Sequence, residues 1–260
     1  MTKTKENRRF LKADVWKQFS EKGYETDQAK KLPRTPVEKP FPEDAELIDL
    51  IAPENLTIGN MSVRDAIARR MSRRRFTDES LSLEELSYLL WAAQGVRSVF
   101  ELKDGIATTR TVPSGGSLHS FETYLCINSV EGLTPGLYRY LPLEHKLLFI
   151  RTDDDLAADI AKACARQRYI KTAAVIFIWT TIPYRTEWRY GIAAHKTIAQ
   201  DSGHLCENLY LAAESIGIGT CAVGAYYQEE MDAILGVDGE DEFTIYIAPV
   251  GRVKDTSDEN

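Results

Sequence analysis

Apolar residues repeat at helical spacing in two long stretches of the chain. Between residues 191 and 215, Ile198, Leu205 and Leu209 recur on one stripe, which predicts a central helix with Gly217 as its stop. A second helix is predicted from a capping box, Ser82 with Glu85, to Gly95. Shorter helical signals cover residues 13–20, 153–166 and 229–235 and a segment after Ser62.

Other segments have the alternation or the continuous apolar character of strands. Alternation predicts a strand over 121–128 and a hairpin over 137–141 and 146–150. The apolar run 173–179 favours a strand covered on both faces, and shorter strands are predicted near 220–223 and over 243–250. Strands and helices interleave without an internal repeat, so we expect a layered arrangement of helices and sheet.

The first 60 residues differ from the rest of the chain. They contain five of the ten prolines and show no sustained apolar period. Proline disfavours both helix interiors and central strands, so we expect an arm that lies extended over the domain or over a partner subunit. The prediction is therefore a Pro-rich arm over residues 1–60 and one domain over residues 61–260.

Composition excludes several classes of protein. A formal charge of −7 argues against binding mainly to nucleic-acid phosphates. The longest apolar run has seven residues, far below the roughly 20 that cross a membrane. The charged first residues lack a secretory signal, and the four cysteines form no CxxC pair or cluster with histidine. We therefore expect a cytoplasmic protein with no metal site, no membrane partner and no nucleic-acid partner.

An arginine-rich segment is the first candidate for chemistry. Residues 70–76, RMSRRRF, hold four arginines and a serine. Guanidinium groups bind phosphate through paired hydrogen bonds, so several arginines could converge on one anion. The alternative is a solvated basic turn at the surface.

A small-residue loop is the second candidate. Pro113, Ser114, Gly115, Gly116 and Ser117 offer backbone N–H groups and hydroxyls with little side-chain bulk in front of a planar ligand. The alternative is an ordinary turn that leads into the next strand. Because His119 lies five positions after Ser114, a Ser/His hydrolase is a further hypothesis, although no oxyanion motif accompanies the pair.

A glycine-punctuated segment, residues 216–226, is the third candidate. It does not match the G-x-G-x-x-G dinucleotide fingerprint, because no strand precedes it and no helix follows in the required order. Gly224 could bring a backbone N–H close to a flat cofactor. The alternative is a helix C-cap at Gly217 followed by a bulge.

The order of these motifs resembles the nitroreductase-like flavoproteins, and within them the SagB-type dehydrogenases. The segments that carry the resemblance are LSYLLWAAQGV, RTVPSGGSLHSFETYL, GLYRYLPLEHKL and IAPVGR. The resemblance covers about residues 60 to 253. It implies an α+β fold, a three-layer α-β-α sandwich around a mixed, mainly antiparallel sheet. It also implies an intertwined homodimer that binds FMN at its interface.

The resemblance also implies roles for particular residues. Those matching cofactor-binding positions are Arg70, Ser72, Arg74, Pro113, Ser114, Gly115, Gly116, Ser117, Val223, Gly224 and Arg252. The arginines would contact the phosphate, ribityl and pyrimidine atoms, the 114–117 loop would come from the other subunit, and the Gly224 amide would lie near flavin N5. Many family members have asparagine at the position of Ser117, which weakens the inference for that residue.

The catalytic positions depart from the resembled branch. Azoline-oxidising members carry a Lys-Tyr pair, whereas this chain has Arg189 and Tyr190. A guanidinium cannot act as a base at neutral pH, but Tyr190 could still exchange a proton. The alternative is that both residues only pack at the start of the central helix. We expect an FMN-dependent oxidoreductase using NAD(P)H or an organic substrate; a flavin-binding scaffold or sensor with little turnover is the other hypothesis.

Overall fold

The centre of the molecule is a seven-stranded antiparallel sheet. The structure, a computed structural model, describes residues 2–21 and 25–254. Residues 1 and 22–24 of the predicted arm and residues 255–260 of the predicted domain therefore lie outside the described residues. The strand order is β1-β6-β5-β4-β7-β9-β8, and β2 and β3 form a separate hairpin. The strands are β1 (Leu47–Asp49), β2 (Val96–Leu102), β3 (Gly105–Arg110), β4 (Phe121–Ile127), β5 (Gly136–Leu141), β6 (Lys146–Arg151), β7 (Val175–Thr181), β8 (Ile218–Thr220) and β9 (Phe243–Arg252).

Helices cover both faces of this sheet. Those with side chains in the two cores are α4 (Leu83–Gln94) and α7 (Ala194–Ser215) on one face and α5 (Leu156–Ala163) and α8 (Gln228–Leu235) on the other. The other described helices are α1 (Lys3–Asn7), α2 (Asp14–Glu21), α3 (Val63–Arg69) and α6 (Tyr184–Tyr190). None of the helices within the described ranges is long and apolar enough to cross a membrane.

Side chains of the central strands alternate between two cores. In β4, Leu125 and Ile127 pack in the core shared with α4 and α7, whereas Tyr124 and Cys126 face the core shared with α5 and α8. Strand β7 divides its side chains in the same way. The structure therefore has three layers, which confirms the predicted sandwich. The named strands pair only in antiparallel fashion. Parallel pairing is confined to single bridges such as Ser72 with Thr220.

Several predicted helix ends are confirmed by their hydrogen bonds. The Ser82 hydroxyl accepts from the Glu85 N–H and the Glu85 carboxylate accepts from the Ser82 N–H, which completes the capping box. Ser62 caps α3 through the Asp65 N–H. Gly217 follows the last turn of α7 with φ of +74°, the left-handed conformation typical after a helix C-terminus.

Other boundaries were wrong or not predicted. The predicted helix start at Gly191 is wrong, because Gly191 has φ of +46° and separates α6 from a short 3₁₀ turn that leads into α7. The helix predicted over 153–166 is limited to α5, since Ala165 and Arg166 also have positive φ. The β2–β3 hairpin was not predicted; most of β2 is exposed, so its sequence lacks the apolar alternation of a half-buried strand.

Buried arginines hold the proline-rich segment against the domain. The Arg110 guanidinium donates to the Val37 carbonyl, Arg139 to the Lys39 carbonyl and Arg185 to the Pro36 carbonyl. Further along the chain, β1 pairs with β6 at the edge of the main sheet. The part of the predicted arm from about residue 34 to 49 therefore lies on the domain of its own chain.

Replacement of Arg185 tests how strongly this anchoring stabilises the fold. Arg185 forms a fully buried ion pair with Glu122, so Arg185→Met leaves a buried carboxylate without its cation. We expect a loss of about 3 to 5 kcal/mol in the free energy of unfolding, measured by urea denaturation. In the control, Lys146→Met removes an exposed pair with Asp49 and should cost less than about 1 kcal/mol. Equal losses in the two variants would contradict this account.

Candidate active site

The arginine-rich segment forms part of the edge of the main sheet. Ser72 bridges Thr220 of β8, and the Arg73 N–H donates to the Thr220 carbonyl at 2.9 Å. Phe76 bridges Val253, just beyond β9. These backbone contacts fix the path of residues 70–76, so the alternative of a merely solvated turn does not describe the segment.

The Tyr210 hydroxyl links this segment to the loop after β8. It lies 3.0 Å from the Ser72 hydroxyl and accepts the Ala222 N–H at 2.7 Å. The Arg70 guanidinium carbon lies 5.2 Å from the centre of the Tyr210 ring. Burial raises the pKa of Tyr210, which keeps the phenol neutral. Tyr210 was not among the predicted residues, although it joins two of the predicted motifs.

Arg74 lies at the surface beside Cys221 and Tyr169. The Cys221 sulfur raises the pKa of Arg74, and a hydrogen bond with Tyr169 acts in the same direction. The structure thus brings Arg70, Ser72 and Arg74 to the same end of α7 as the 221–224 loop. Neither Arg70 nor Arg74 forms an ion pair with a carboxylate in the part of the chain that the structure describes.

Gly224 presents an open backbone amide next to a fixed residue. Val223 exchanges two backbone hydrogen bonds with Ile247, at 2.7 and 3.3 Å. Gly224 itself is exposed, and its N–H has no hydrogen-bond partner among residues 2–21 and 25–254. A Cβ added to Gly224 would meet nothing nearer than the Tyr246 ring at 3.9 Å. The space in front of this amide is therefore free for a flat ligand.

The small-residue loop is held by an acid that the sequence analysis missed. The Ser114 hydroxyl donates to Asp201 of α7 at 2.7 Å, and the Gly115 N–H donates to the same carboxylate at 3.0 Å. A Cβ on Gly115 would lie 2.2 Å from Thr197, so only glycine allows the loop this close to the helix. The Ser117 hydroxyl donates to the Thr108 carbonyl at 2.9 Å. Pro113, which precedes the loop, is exposed.

A pattern in the sequence could have identified Asp201. Ile198, Asp201 and Leu205 follow one another at the three- and four-residue spacing of a single helix face. That face is buried, and a carboxylate at a buried helix position is rarely found without hydrogen-bond partners. Burial raises the pKa of Asp201, whereas its bonds to Ser114 and Gly115 oppose that shift.

Arg189 and Tyr190 lie beside this loop. A Cβ added to Gly116 would lie 2.6 Å from the Tyr190 hydroxyl oxygen, which shows how closely the phenol packs on the loop. The Trp16 ring packs edge-on against Tyr190 at 5.6 Å, and the Arg189 guanidinium lies 5.5 Å from its ring centre. Both residues lie at the end of α6, whereas the alternative interpretation placed them at the start of the central helix.

Arg252 has different surroundings from the other predicted cations. One terminal nitrogen of its guanidinium lies 3.0 Å from both carboxylate oxygens of Glu85, and its Nε donates to the Ser80 carbonyl at 3.3 Å. Glu85 also takes part in the capping box of α4. The charge of Arg252 is thus compensated within the chain, unlike the charges of Arg70 and Arg74.

The predicted site residues therefore form two groups along α7. Tyr190 and the 114–117 loop contact its N-terminal half near Asp201, whereas Ser72 and the 221–224 loop contact its C-terminal half at Tyr210. Nine residues separate Asp201 from Tyr210, about 13 Å along a helix axis. Among residues 2–21 and 25–254, no hydrogen bond joins one group directly to the other.

The geometry disfavours a Ser/His hydrolase. The Ser114 hydroxyl donates to Asp201 and accepts the backbone N–H of His119, not a bond from its imidazole. Burial, with the nearby Arg110 charge, lowers the pKa of His119 to about 3. An imidazole with that pKa is a poor general base at neutral pH. No group of three or more metal-ligating side chains occurs in the ranges 2–21 and 25–254.

Comparison with known proteins identifies relatives of the chain. A family model described as Nitroreductase family matches residues 67–252. A Methanocaldococcus jannaschii protein named as a nitroreductase, MJ1384, is 33% identical over 75% of this chain and 93% of its own length. The trifolitoxin-processing protein TfxB of Rhizobium leguminosarum is 27% identical, with 61% of this chain matched. The chain spans only 44% of the length of TfxB.

Solved structures share the fold. A Ralstonia eutropha protein described as a nitroreductase superposes with a TM-score of 0.65 at 27% identity, covering 86% of this chain and 99% of that one. A protein from Desulfovibrio desulfuricans, crystallised in complex with FMN, superposes with a TM-score of 0.52 at 19% identity. That match covers 74% of this chain and 87% of the other, and it is evidence for the fold alone.

Removal of the Asp201 carboxylate tests how the small-residue loop is held. In Asp201→Ala, Ser114 and the Gly115 N–H lose their charged acceptor, and each such bond contributes roughly 1.5 to 3 kcal/mol. We expect the Gly115 amide to exchange its hydrogen at least about tenfold faster, measured by NMR hydrogen exchange. The control Glu207→Ala changes an exposed acid on the same helix and should leave the rate unaltered. Unchanged exchange in Asp201→Ala would mean that the carboxylate does not hold the loop.

Proposed function

The chain belongs to the nitroreductase family, and on that premise we propose that it is an FMN-dependent oxidoreductase. The observation that carries the proposal is the open Gly224 amide, at the same end of α7 as Arg70 and Arg74, which have no carboxylate partner among the described residues. Charges of that kind are stabilised by an anionic ligand, and an unpaired N–H is stabilised by an acceptor. FMN supplies both a phosphate and a ring with acceptor atoms.

The donor set of the chain fits this cofactor. Arg70 would hold the phosphate, Ser72 the ribityl chain, and Arg74 the electron-rich edge of the pyrimidine ring. Val223 is fixed by its two bonds to Ile247, so the Gly224 N–H has a defined position from which to donate to the reactive ring nitrogen. Arg252 would contribute a hydrogen bond to the phosphate alongside its bonds to Glu85 and the Ser80 carbonyl.

We further propose that the complete site forms in a homodimer. The two groups of site residues lie at opposite halves of α7, so one chain alone does not place the 114–117 loop in front of Gly224. Two apolar side chains of α3 are unusually exposed, Val63 at 71% and Ile67 at 60%, and Met71, just after the helix, is 51% accessible. Exposed apolar patches of this kind mark interaction surfaces. A second copy covering this face could supply the missing loop.

FMN, when bound, carries hydride between substrates through its N5 atom. The residues of the chain would tune and assist that chemistry. Arg74 would place a positive charge beside the pyrimidine edge of the bound ring, and such a charge would favour the reduced cofactor. Tyr190 would donate or accept a proton through its hydroxyl, held against Gly116. Arg189 would orient a substrate, because a guanidinium group offers several hydrogen-bond donors.

We propose NAD(P)H or an organic substrate as the hydride donor and a second small molecule as the acceptor. The likeness to a trifolitoxin-processing protein supports the SagB-type branch, whose members act on peptide-derived rings. Because Arg189 stands at the position of the branch's lysine, proton removal from an azoline would depend on Tyr190 alone. A flavin-binding scaffold with little turnover is the rival function, and steady-state reduction by NADH or NADPH separates the two.

Replacement of Arg70 tests cofactor binding directly. Arg70→Ala removes a cation without a carboxylate partner, so we expect FMN to bind about 10- to 100-fold more weakly. Fluorescence titration of cofactor-stripped protein with FMN measures the change. The control Arg69→Ala alters the adjacent exposed arginine and should bind FMN normally. Equal affinities in the two variants would reject the assignment of Arg70, and no FMN binding by the unaltered protein would reject the function.

A charge on α3 tests the homodimer. Ile67→Asp places a carboxylate on the exposed apolar face, so we expect the monomer fraction to rise and FMN affinity to fall together, because the partner supplies part of the site. Sedimentation equilibrium and FMN titration are the measurements. The control Ile150→Asp changes an exposed isoleucine on β6 and should leave both properties unaltered. Weaker self-association with undiminished FMN affinity would show that one chain completes the site.

A further inference from the structure

A groove outside the flavin site gathers four positive side chains. It has a cavity volume of about 350 Å³ and is lined by Ala158, Ala161, Lys162, Arg166, Arg168 and Lys171. The lining residues belong to α5, to the tight turn that follows it and to the 3₁₀ helix Arg168–Thr172. The floor is aliphatic and the rim is cationic. Neither the arginine-rich segment nor the glycine loop contributes to it.

Among the described residues, these four charges have no acidic partners. In the part of the chain described by the structure, none of the four side chains forms an ion pair. The nearest acid along the helix, Asp159, is three residues before Lys162, yet the two are not paired. In a chain with a formal charge of −7, four clustered cations without a carboxylate are unexpected. Like charges repel one another, and an anion bound between them would offset that repulsion.

The turn that brings the cations together is itself unfavourable. Ala165 has φ of +53° and Arg166 has φ of +61°, so two consecutive residues with side chains adopt the left-handed conformation. Such geometry costs energy and persists where the surroundings impose it, most often at functional sites. Here it ends α5 at Ala163 and turns the chain so that Arg166 and Arg168 line the same groove as Lys162.

The groove adjoins the loop that carries Gly224. The Tyr227 N–H donates to the Ala163 carbonyl at 2.8 Å, and the Gln167 amide donates to the Ala225 carbonyl at 3.3 Å. Tyr169, between the groove residues Arg168 and Lys171, lies 3.8 Å from the Cys221 sulfur through its hydroxyl. One short segment, residues 163–171, therefore supports the glycine loop and lines the basic groove.

We propose that this groove binds the adenosine phosphate end of a reduced nicotinamide nucleotide and makes the enzyme prefer NADPH to NADH. An aliphatic floor suits the adenine ring, and arginine side chains bind a phosphate dianion through paired hydrogen bonds. NADPH differs from NADH by one phosphate on the adenosine ribose, so a cationic rim distinguishes the two. The inference rests on the proposed oxidoreductase function, because the nicotinamide end of the same molecule would have to reach the flavin.

Direct binding tests the groove independently of turnover. Adenosine 2′,5′-bisphosphate carries the distinguishing phosphate without the nicotinamide, and isothermal titration calorimetry measures its affinity for the FMN-loaded protein. We expect Arg166→Ser/Arg168→Ser to weaken binding at least about tenfold while FMN occupancy and Tm stay unchanged. The control Arg97→Ser changes an exposed arginine outside the groove and should bind normally. Binding that is equally tight in the double variant, or equally tight for inorganic phosphate and for the bisphosphate, overturns the proposal.

Steady-state kinetics tests the preference between nucleotides. In Arg166→Ser/Arg168→Ser we expect KM for NADPH to rise at least about tenfold, whereas KM for NADH changes less than about twofold and kcat with either donor is retained. Equal changes for the two donors would overturn the assignment. If the unaltered protein binds the bisphosphate but neither NADH nor NADPH reduces the FMN-loaded protein, the proposed function fails and the groove remains a nucleotide site. If NADH and NADPH both reduce it with equal KM, the function stands and the groove proposal fails.

Discussion

Burial of strands β4 and β7 on both faces is the constraint on which the rest of the structure depends. Their side chains alternate between two cores, so helices must cover the sheet on both sides. On one side this cover is α7, whose 22 residues are long enough to carry two different sets of contacts. Asp201 holds the small-residue loop near one end, and Tyr210 holds the arginine segment and the 221–224 loop near the other. The same helix thus packs the core and positions both halves of the candidate site.

The distribution of charge separates structural cations from candidate binding cations. Arg110, Arg139 and Arg185 are buried, and they donate to backbone carbonyls of the proline-rich segment. Arg252 is compensated by Glu85. By contrast, Arg70, Arg74 and the cations of the groove at α5 have no carboxylate partners within residues 2–21 and 25–254. A buried guanidinium needs hydrogen-bond acceptors or a counter-charge to offset its loss of hydration. An exposed guanidinium is hydrated by water and is therefore available to bind an anion.

Exposed apolar side chains indicate where a second copy of the chain could bind. Val63 and Ile67 lie four residues apart, a spacing that in most helices marks the face turned towards the core. Here that face is among the most exposed apolar surface of the molecule. The β2–β3 hairpin also exposes large side chains, including Val99 and Phe100. The spacing alone does not distinguish a core face from a subunit interface, since both bury the same kind of side chain.

The sequence by itself determined the helices with strong end signals, the main strands, the layered architecture and the family. Capping residues and apolar periods act over a few positions, so Ser82 with Glu85 and the run 173–179 were sufficient evidence. Only the tertiary structure decided that Asp201 holds Ser114, that Tyr210 joins Ser72 to Ala222, and that Arg252 pairs with Glu85. It also decided which cations converge on the α5 groove. Contacts between residues that are far apart in the sequence depend on how the layers pack. The spacing of residues within a short segment contains no information about that packing, so these contacts could not be predicted from it.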